Sequence, residues 1–249
     1  MIDPQQPARE AAAAIAANKG TLVEGMFDQI ARRYDLINDV MTFGMHRLWK
    51  AATLGALGAR RHGNVLDVAT GTGDLALALA IGSATARVVG LDFSAAMLVQ
   101  ASGRGRQVPN RARLTFVRGD ALRLPFDDAA FSAATSSFAL RNVADLGQMF
   151  RELARVLAPG GRVALLDLVP SADPPPWTRL TRVHLRYVVP VLGRLIAREV
   201  TAYRYLPASI ETIPILPEME HLLASTGFTD VRHRLFGLGT VALITGTRR

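Results

Sequence analysis

From residue 64 onward, short apolar or β-branched runs alternate with segments of helical periodicity, and that rhythm excludes most folds. The runs "NVLDVA", "ARVVGLDF", "RLTFVRGDA", "FSAATSSFAL" and "GRVALLDLV" are interleaved with "DLALALAI", "SAAMLVQAS" and "LGQMFRELARVL". Such alternation builds βαβ units and predicts an α/β doubly wound parallel sheet. Unbroken apolar strands such as "VALLDLV" also suit burial on both faces, as parallel strands require. The tail reads differently: a helix at "EMEHLLASTGF", then two strands at "DVRHRLF" and "GTVALITGTR" with Gly237 and Gly239 near the turn. It predicts a terminal antiparallel pair on the parallel sheet.

Between these parts the rhythm breaks. "SADPPPW" after Pro170 cannot continue a strand, and an Arg-studded apolar segment follows it to about residue 205. Residues 171–212 read as an insertion rather than a second domain. Ahead of the first strand, 21–57 carries Met26, Phe27, Ile30, Leu36, Ile37, Val40 and Met41 at helical spacing. We read that stretch as a helical cap or flap, 1–20 as a flexible N-terminus, and 21–249 as one domain.

A chain of 249 residues with 49% hydrophobic and 20% charged residues belongs among globular proteins. It has no cysteine, which removes disulfides, thiolate metal sites and cysteine nucleophiles and fits a reducing, cytoplasmic setting. No leader is read in the amino end, where Asp3, Arg9 and Glu10 surround the alanine run, and no apolar stretch reaches the roughly eighteen residues of a spanning helix. The net charge of +8 comes from scattered arginines, with Lys19 and Lys50 the only lysines, so nucleic-acid binding is not expected. No cluster of carboxylates and histidines has metal-ligand spacing. The oligomeric state stays open, a homodimer included.

Ligands of such sheets bind at the carboxyl ends of the strands. The first strand ends in "VLDVATGTGD", where Gly71 and Gly73 allow a sharp turn and close approach of a ligand. The second ends in Asp92, about twenty residues later, placed to accept both hydroxyls of an adenosine ribose. Gly71, Gly73 and Ala76 equally satisfy the GxGxxA dinucleotide pattern, so an NAD-dependent oxidoreductase is a rival reading. Asp67 inside the first strand would crowd a pyrophosphate but suits a cofactor with an ammonium group. Asp120, after the third strand, is placed to reach an adenine amino group, and the terminal strand pair also suits a methyltransferase better.

Together "VLDVATGTGD", "GLDFSAAML", "GDALRLPFDDAAFSAATSSFALRNV" and "ELARVLAPGGRVALLDL" resemble class I S-adenosylmethionine-dependent methyltransferases, whose sheet is a seven-stranded Rossmann-like one. Three further blocks narrow the resemblance to the ubiquinone/menaquinone biosynthesis C-methyltransferases, of the demethylmenaquinone methyltransferase type. They are "YDLINDVMTFGMHRLWK", "SFALRNV", and "AYRYLPASI" with "LLASTGF"; Thr42 stands where that family usually has Ser.

The resemblance implies S-adenosylmethionine as cofactor and C-methylation of a prenylated quinol, with demethylmenaquinol ahead of the benzoquinol of ubiquinone biosynthesis or another aromatic acceptor. It implies Thr72 in the glycine loop, Asp92 at the ribose, Asp120 and Ala121 at the adenine, and Ser137 at the end of the fourth strand. Tyr34, Asn38 and Tyr203 would line the acceptor pocket, with His46 beside the first two.

Methylation of a quinol carbon requires alignment of two centres and loss of a phenolic proton. Arg141 could stabilise a phenolate or hold a proton-accepting water, and Asn142 could orient the hydroxyl. Alternatively, Arg141 forms an ion pair with a neighbour such as Asp145. His46 is an alternative base, or else a structural histidine. The insertion, with Arg179, Arg182, Arg186, Arg194 and Arg198, reads either as a channel for a prenyl tail resting at the inner face of an anionic membrane or as a helical cap with solvated arginines.

Overall fold

The computed structural model describes residues 25, 27, 28, 31–83, 85–170 and 213–249. The expected flexible N-terminus, the start of the cap at 21–24 and the insertion 171–212, with Tyr203 and its arginines, lie outside the described residues. In chain order the elements are α1 (Tyr34–Thr42), α2 (Met45–Ala56), β1 (Asn64–Val68), α3 (Asp74–Gly82), β2 (Arg87–Asp92), α4 (Ala95–Gly105) and β3 (Leu114–Arg118). There follow β4 (Phe131–Ser137), α5 (Leu146–Val156), β5 (Leu157–Leu168), α6 (Leu216–Ser225), β6 (Phe228–Phe236) and β7 (Val241–Arg248).

The strands form one seven-stranded sheet in the order β3-β2-β1-β4-β5-β7-β6. Strands β1 to β5 pair in parallel, and β7 runs antiparallel to both β5 and β6. The expected terminal antiparallel pair is therefore present. In β5 the period of two sends Val163 and Leu165 to one face, against Met149, Phe150 and Leu153 of α5. Ala164 and Leu166 face the other layer, which holds Trp49, Ala76 and Leu79.

Helix ends follow local chemistry. Ser94 caps α4 by accepting from the Met97 amide at 3.1 Å, and Asp145 caps α5 by accepting from Gln148 at 2.8 Å. Strand β4 stops short of "FAL" because Phe138 turns into the left-handed region, φ 58°, while its amide still donates to Leu166 O at 2.7 Å. Helix α2 packs on β4, β5 and β7 and leads through Gly58–His62 into β1. Its C-terminus therefore lies at the amino edge of the sheet, and its first turn, with His46, stands at the carboxyl edge.

Candidate active site

Gly71 (φ 57°) and Gly73 (φ 88°) take left-handed conformations between β1 and α3, and Gly73 caps α3 without help from any side chain. Ala69 adopts φ 53° just before them, a strain of about 1–2 kcal/mol. Asp92 closes the loop from the side. Its Oδ2 accepts from the Gly71 amide at 2.7 Å and its Oδ1 from Ser94 at 2.9 Å. Burial pushes its pKa up, and the amides of Ser94, Gly71 and Phe93 pull against that. A carboxylate held by two amides keeps acceptor capacity for the hydroxyls of a ribose.

Beneath the loop, Asp67 pairs in register with Gly90 on one side and Thr135 on the other. Gly90 is required there, since a Cβ would come within 2.7 Å of Phe116 and 2.9 Å of Thr70 Oγ1. Thr70 donates to Asp67 Oδ2 at 2.6 Å and Thr135 to Oδ1 at 2.7 Å. Asp67 is only 1% exposed, and burial raises its pKa to about 6 against these hydroxyls and Lys50. Burial thus disfavours the charged form of Asp67, and a cation placed beside it would favour that form.

The cap sits on this loop. Tyr34 Cε1 lies 3.9 Å from where a Cβ on Gly71 would stand, and the Tyr34 and Phe27 rings meet edge to face at 5.9 Å. Asp28 Oδ1 accepts from Ser94 Oγ at 2.5 Å. Thr72 Oγ1 donates to Asp35 Oδ1 at 2.6 Å, and Arg104 reaches Asp35 Oδ2 at 2.9 Å and Asp74 Oδ1 at 2.7 Å. Lys50 Nζ completes the network on Asp74 Oδ2 at 2.7 Å.

At the end of β4, Lys50 Nζ and Arg141 Cζ each lie 6.0 Å from the Phe138 ring centroid. Arg141 is buried. Its partner is Asp167, near the end of β5 and 1% exposed, whose Oδ1 it reaches at 2.6 Å. The ion pair offered as the alternative role for Arg141 is formed, with Asp167 rather than Asp145, which caps α5 and approaches Arg151 at 4.0 Å. Among the described residues, Asn142 Oδ1 and Asn38 Nδ2 are buried without a hydrogen-bond partner, as is Ser136 Oγ beside the half-buried Ser137. Asp120 is exposed and accepts from the Leu122 amide at 2.9 Å; Ala121 is half-buried against the core. Glu152 and Arg155 of α5 hold that loop, Glu152 accepting from Leu124 N at 2.7 Å and Arg155 donating to Leu124 O at 2.9 Å. His46 is 2% exposed, with Nδ1 2.9 Å from Thr42 Oγ1.

Direct bonds or close contacts thus connect Tyr34, Gly71, Thr72 and Asp92, and Gly73 closes the same loop. Asp67 lies under that loop, while Arg141 stands apart from it on Asp167. Sequence reasoning missed Asp35, Asp74, Arg104, Thr70, Thr135 and Asp167. Asp167 carried a signal, since an acid inside the apolar run "VALLDLV" demands a buried partner; Arg104 carried none. Among the described residues no three His, Asp or Glu side chains group to hold a metal ion, and no helix is long and apolar enough to cross a membrane.

This sheet order, with β7 reversed, is the class I methyltransferase fold. It is shared, for example, with a SAM-dependent methyltransferase from Aquifex aeolicus, which is 16% identical over 86% of this chain and 98% of that one, TM-score 0.60. The chain belongs to the ubiE/COQ5 methyltransferase family, whose model matches residues 15–248. It is 39% identical to the demethylmenaquinone methyltransferase of Roseiflexus castenholzii, over 93% of this chain and 95% of that protein. It is 38% identical to the ubiquinone/menaquinone biosynthesis C-methyltransferase UbiE of Paracoccus denitrificans, over 92% and 91%. Membership in a methyltransferase family removes the rival oxidoreductase reading.

Proposed function

We propose that this single domain, residues 21–249, transfers the methyl group of S-adenosylmethionine to a ring carbon of a prenylated hydroquinone, demethylmenaquinol before the benzoquinol of ubiquinone biosynthesis. The observation that carries the acceptor half is the pair of unmatched buried groups. Asn38 Nδ2 is a donor and Asn142 Oδ1 an acceptor, both on blocks specific to the family. A buried polar atom without a partner costs about 1–3 kcal/mol, which a hydroxylated ring could recover.

The residues present fit the cofactor. Asp92 would hold the ribose, Asp120 and Ala121 the adenine, Thr72 and the glycines the loop backbone, and Asp67 the ammonium end, with Ser137 at the strand terminus. When bound, that cofactor supplies an electrophilic methyl group on sulfur. Tyr34 and the cap exclude water, and Asn38 and Asn142 orient the ring. Arg141, fixed by Asp167, stabilises negative charge developing on the phenolic oxygen.

In this reading the acceptor's prenyl tail is delivered at the inner face of an anionic membrane, and Tyr203 and the arginines of 171–212 meet it. Replacing Arg179, Arg182 and Arg186 with Gln then lowers vesicle binding. The acceptor assignment is tested with Asn38→Ala and Asn142→Ala. Labelled methyl transfer to reduced demethylmenaquinone should fall about tenfold or more in each, with S-adenosylhomocysteine affinity unchanged. Undiminished transfer in both removes the assignment.

A further inference from the structure

Residues Asn38, Thr42 and His46 stand at four-residue intervals across the α1–α2 junction and form a directed hydrogen-bond chain. Thr42 Oγ1 lies 2.7 Å from the Asn38 carbonyl, which can only accept, so the threonine proton points there. The oxygen's lone pairs then face the His46 amide at 3.3 Å and His46 Nδ1 at 2.9 Å. The His46 amide donates, and a proton on Nδ1 completes the chain. Asp39 Oδ1, 3.8 Å from Nδ1, favours a proton on the same nitrogen. In the tautomer that completes this chain, His46 carries its proton on Nδ1 and Nε2 is the unprotonated nitrogen.

Three features place His46 beside the proposed acceptor site. His46 lies on the buried face of α2 one turn before Lys50, whose ammonium reaches Asp74 at the glycine loop. With a rise of about 1.5 Å per residue, His46 stands roughly 6 Å farther out, over the carboxyl edge of the sheet. Asn38, the first member of the chain, presents its unpartnered Nδ2 from the same junction. The charged groups around the imidazole are Asp39 on α1, Arg47 and Lys50 on α2, and Asp74 on α3. Burial first, then Lys50, holds its pKa below the ordinary value, so the neutral form persists at neutral pH.

Resting on the quinol reading above, we propose that His46 Nε2 is the general base of the reaction and that Thr42 is the positioning residue that fixes its tautomer. The phenolic O–H bond breaks and its proton passes to Nε2, while the electron pair shifts into the ring. The ring carbon forms the new bond to the methyl group as the C–S bond breaks, its pair remaining on sulfur. The proton on that carbon then passes to the oxygen as the ring regains aromaticity, and the proton on His46 is released to water. Arg141, charged and held by Asp167, serves the oxygen electrostatically and takes no proton.

The test compares wild type with His46→Gln, Thr42→Val and Thr42→Ser. The assay is methyl transfer to reduced demethylmenaquinone from pH 6 to 9, with S-adenosylhomocysteine binding as a check on folding. In His46→Gln, kcat should fall about 10²–10³-fold at pH 7 and rise tenfold per pH unit, as hydroxide and the ionised quinol replace the lost base. Thr42→Val should lower kcat about tenfold with KM little changed, and Thr42→Ser should restore it. Nitrogen-15 spectra of the wild-type histidine need no variant and should show Nδ1 protonated and Nε2 bare at pH 7. A His46→Gln enzyme within threefold of wild type with the wild-type pH profile, or a proton on Nε2, overturns the base assignment alone. Absence of transfer by the wild type overturns the quinol reading, and this assignment with it.

Discussion

The Arg104 guanidinium on α4 reaches Asp35 on α1 at 2.9 Å, and its other end grips Asp74 at the start of α3 at 2.7 Å. One side chain thus bolts the cap to the glycine loop. Thr72 adds a hydrogen bond from inside the loop, and Lys50 anchors α2 to the same Asp74. The glycine loop and the cap thus share one network of hydrogen bonds and ion pairs.

Arg104→Ala should loosen that bolt. The Arg104 and Asp35 side chains are each 41% exposed, so the stability loss should stay near or below about 1 kcal/mol. Binding should suffer more: calorimetry should show about tenfold weaker S-adenosylhomocysteine, roughly 1.4 kcal/mol.

Asp74 gives the network its pH dependence. Burial pushes its pKa up, but Lys50 and Arg104 together outweigh that and bring it from 3.8 to about 2. A carboxylate depressed in the folded state lends stability that is complete above its unfolded pKa and is lost as pH falls through the folded value. The contribution is about 2 kcal/mol at pH 6, and about half of it should be gone by pH 3. Urea unfolding of wild type against Asp74→Asn at both pH values measures the shrinking gap.

Asp67 should behave in the opposite sense. Its folded pKa is raised to about 6, so the ionised form at pH 7 is a cost that disappears as pH falls toward 4. Asp67→Asn is expected to stabilise the protein by about 1–2 kcal/mol at pH 7 and not at pH 4, after allowance for one lost threonine bond. The same variant should bind S-adenosylhomocysteine more weakly, so the residue trades stability for binding.

Asp167→Ala removes the partner of a buried cation. Leaving Arg141 unpaired should cost about 3–5 kcal/mol in chemical denaturation, whereas losing both charges in Arg141→Met with Asp167→Leu should cost less than the two single changes summed.

The sheet was legible because its signals are local. Alternation of period two in "VALLDLV" and helical spacing in "LGQMFRELARVL" fix which faces are buried wherever the strand is placed, and the reversed β7 followed from the turn glycines. The glycine loop and Asp92 were legible for the same reason, since loop, strand end and acid lie within one βαβ unit. Pairings across the molecule were not. Arg141 lies four positions before Asp145 in sequence, yet its partner arrives from β5 through sheet order, and Asp35 meets Arg104 only because the cap folds back over α4. Thr42 looked like a minor exchange for Ser until its hydroxyl was seen between the Asn38 carbonyl and His46.

The most direct test of the account is product analysis after incubating the enzyme with labelled S-adenosylmethionine and chemically reduced demethylmenaquinone in detergent. A labelled methyl group on a ring carbon is the result the account predicts, and reduced demethoxy-type benzoquinone run in parallel should be the poorer acceptor. Intact binding of S-adenosylhomocysteine with no label on either ring would contradict it.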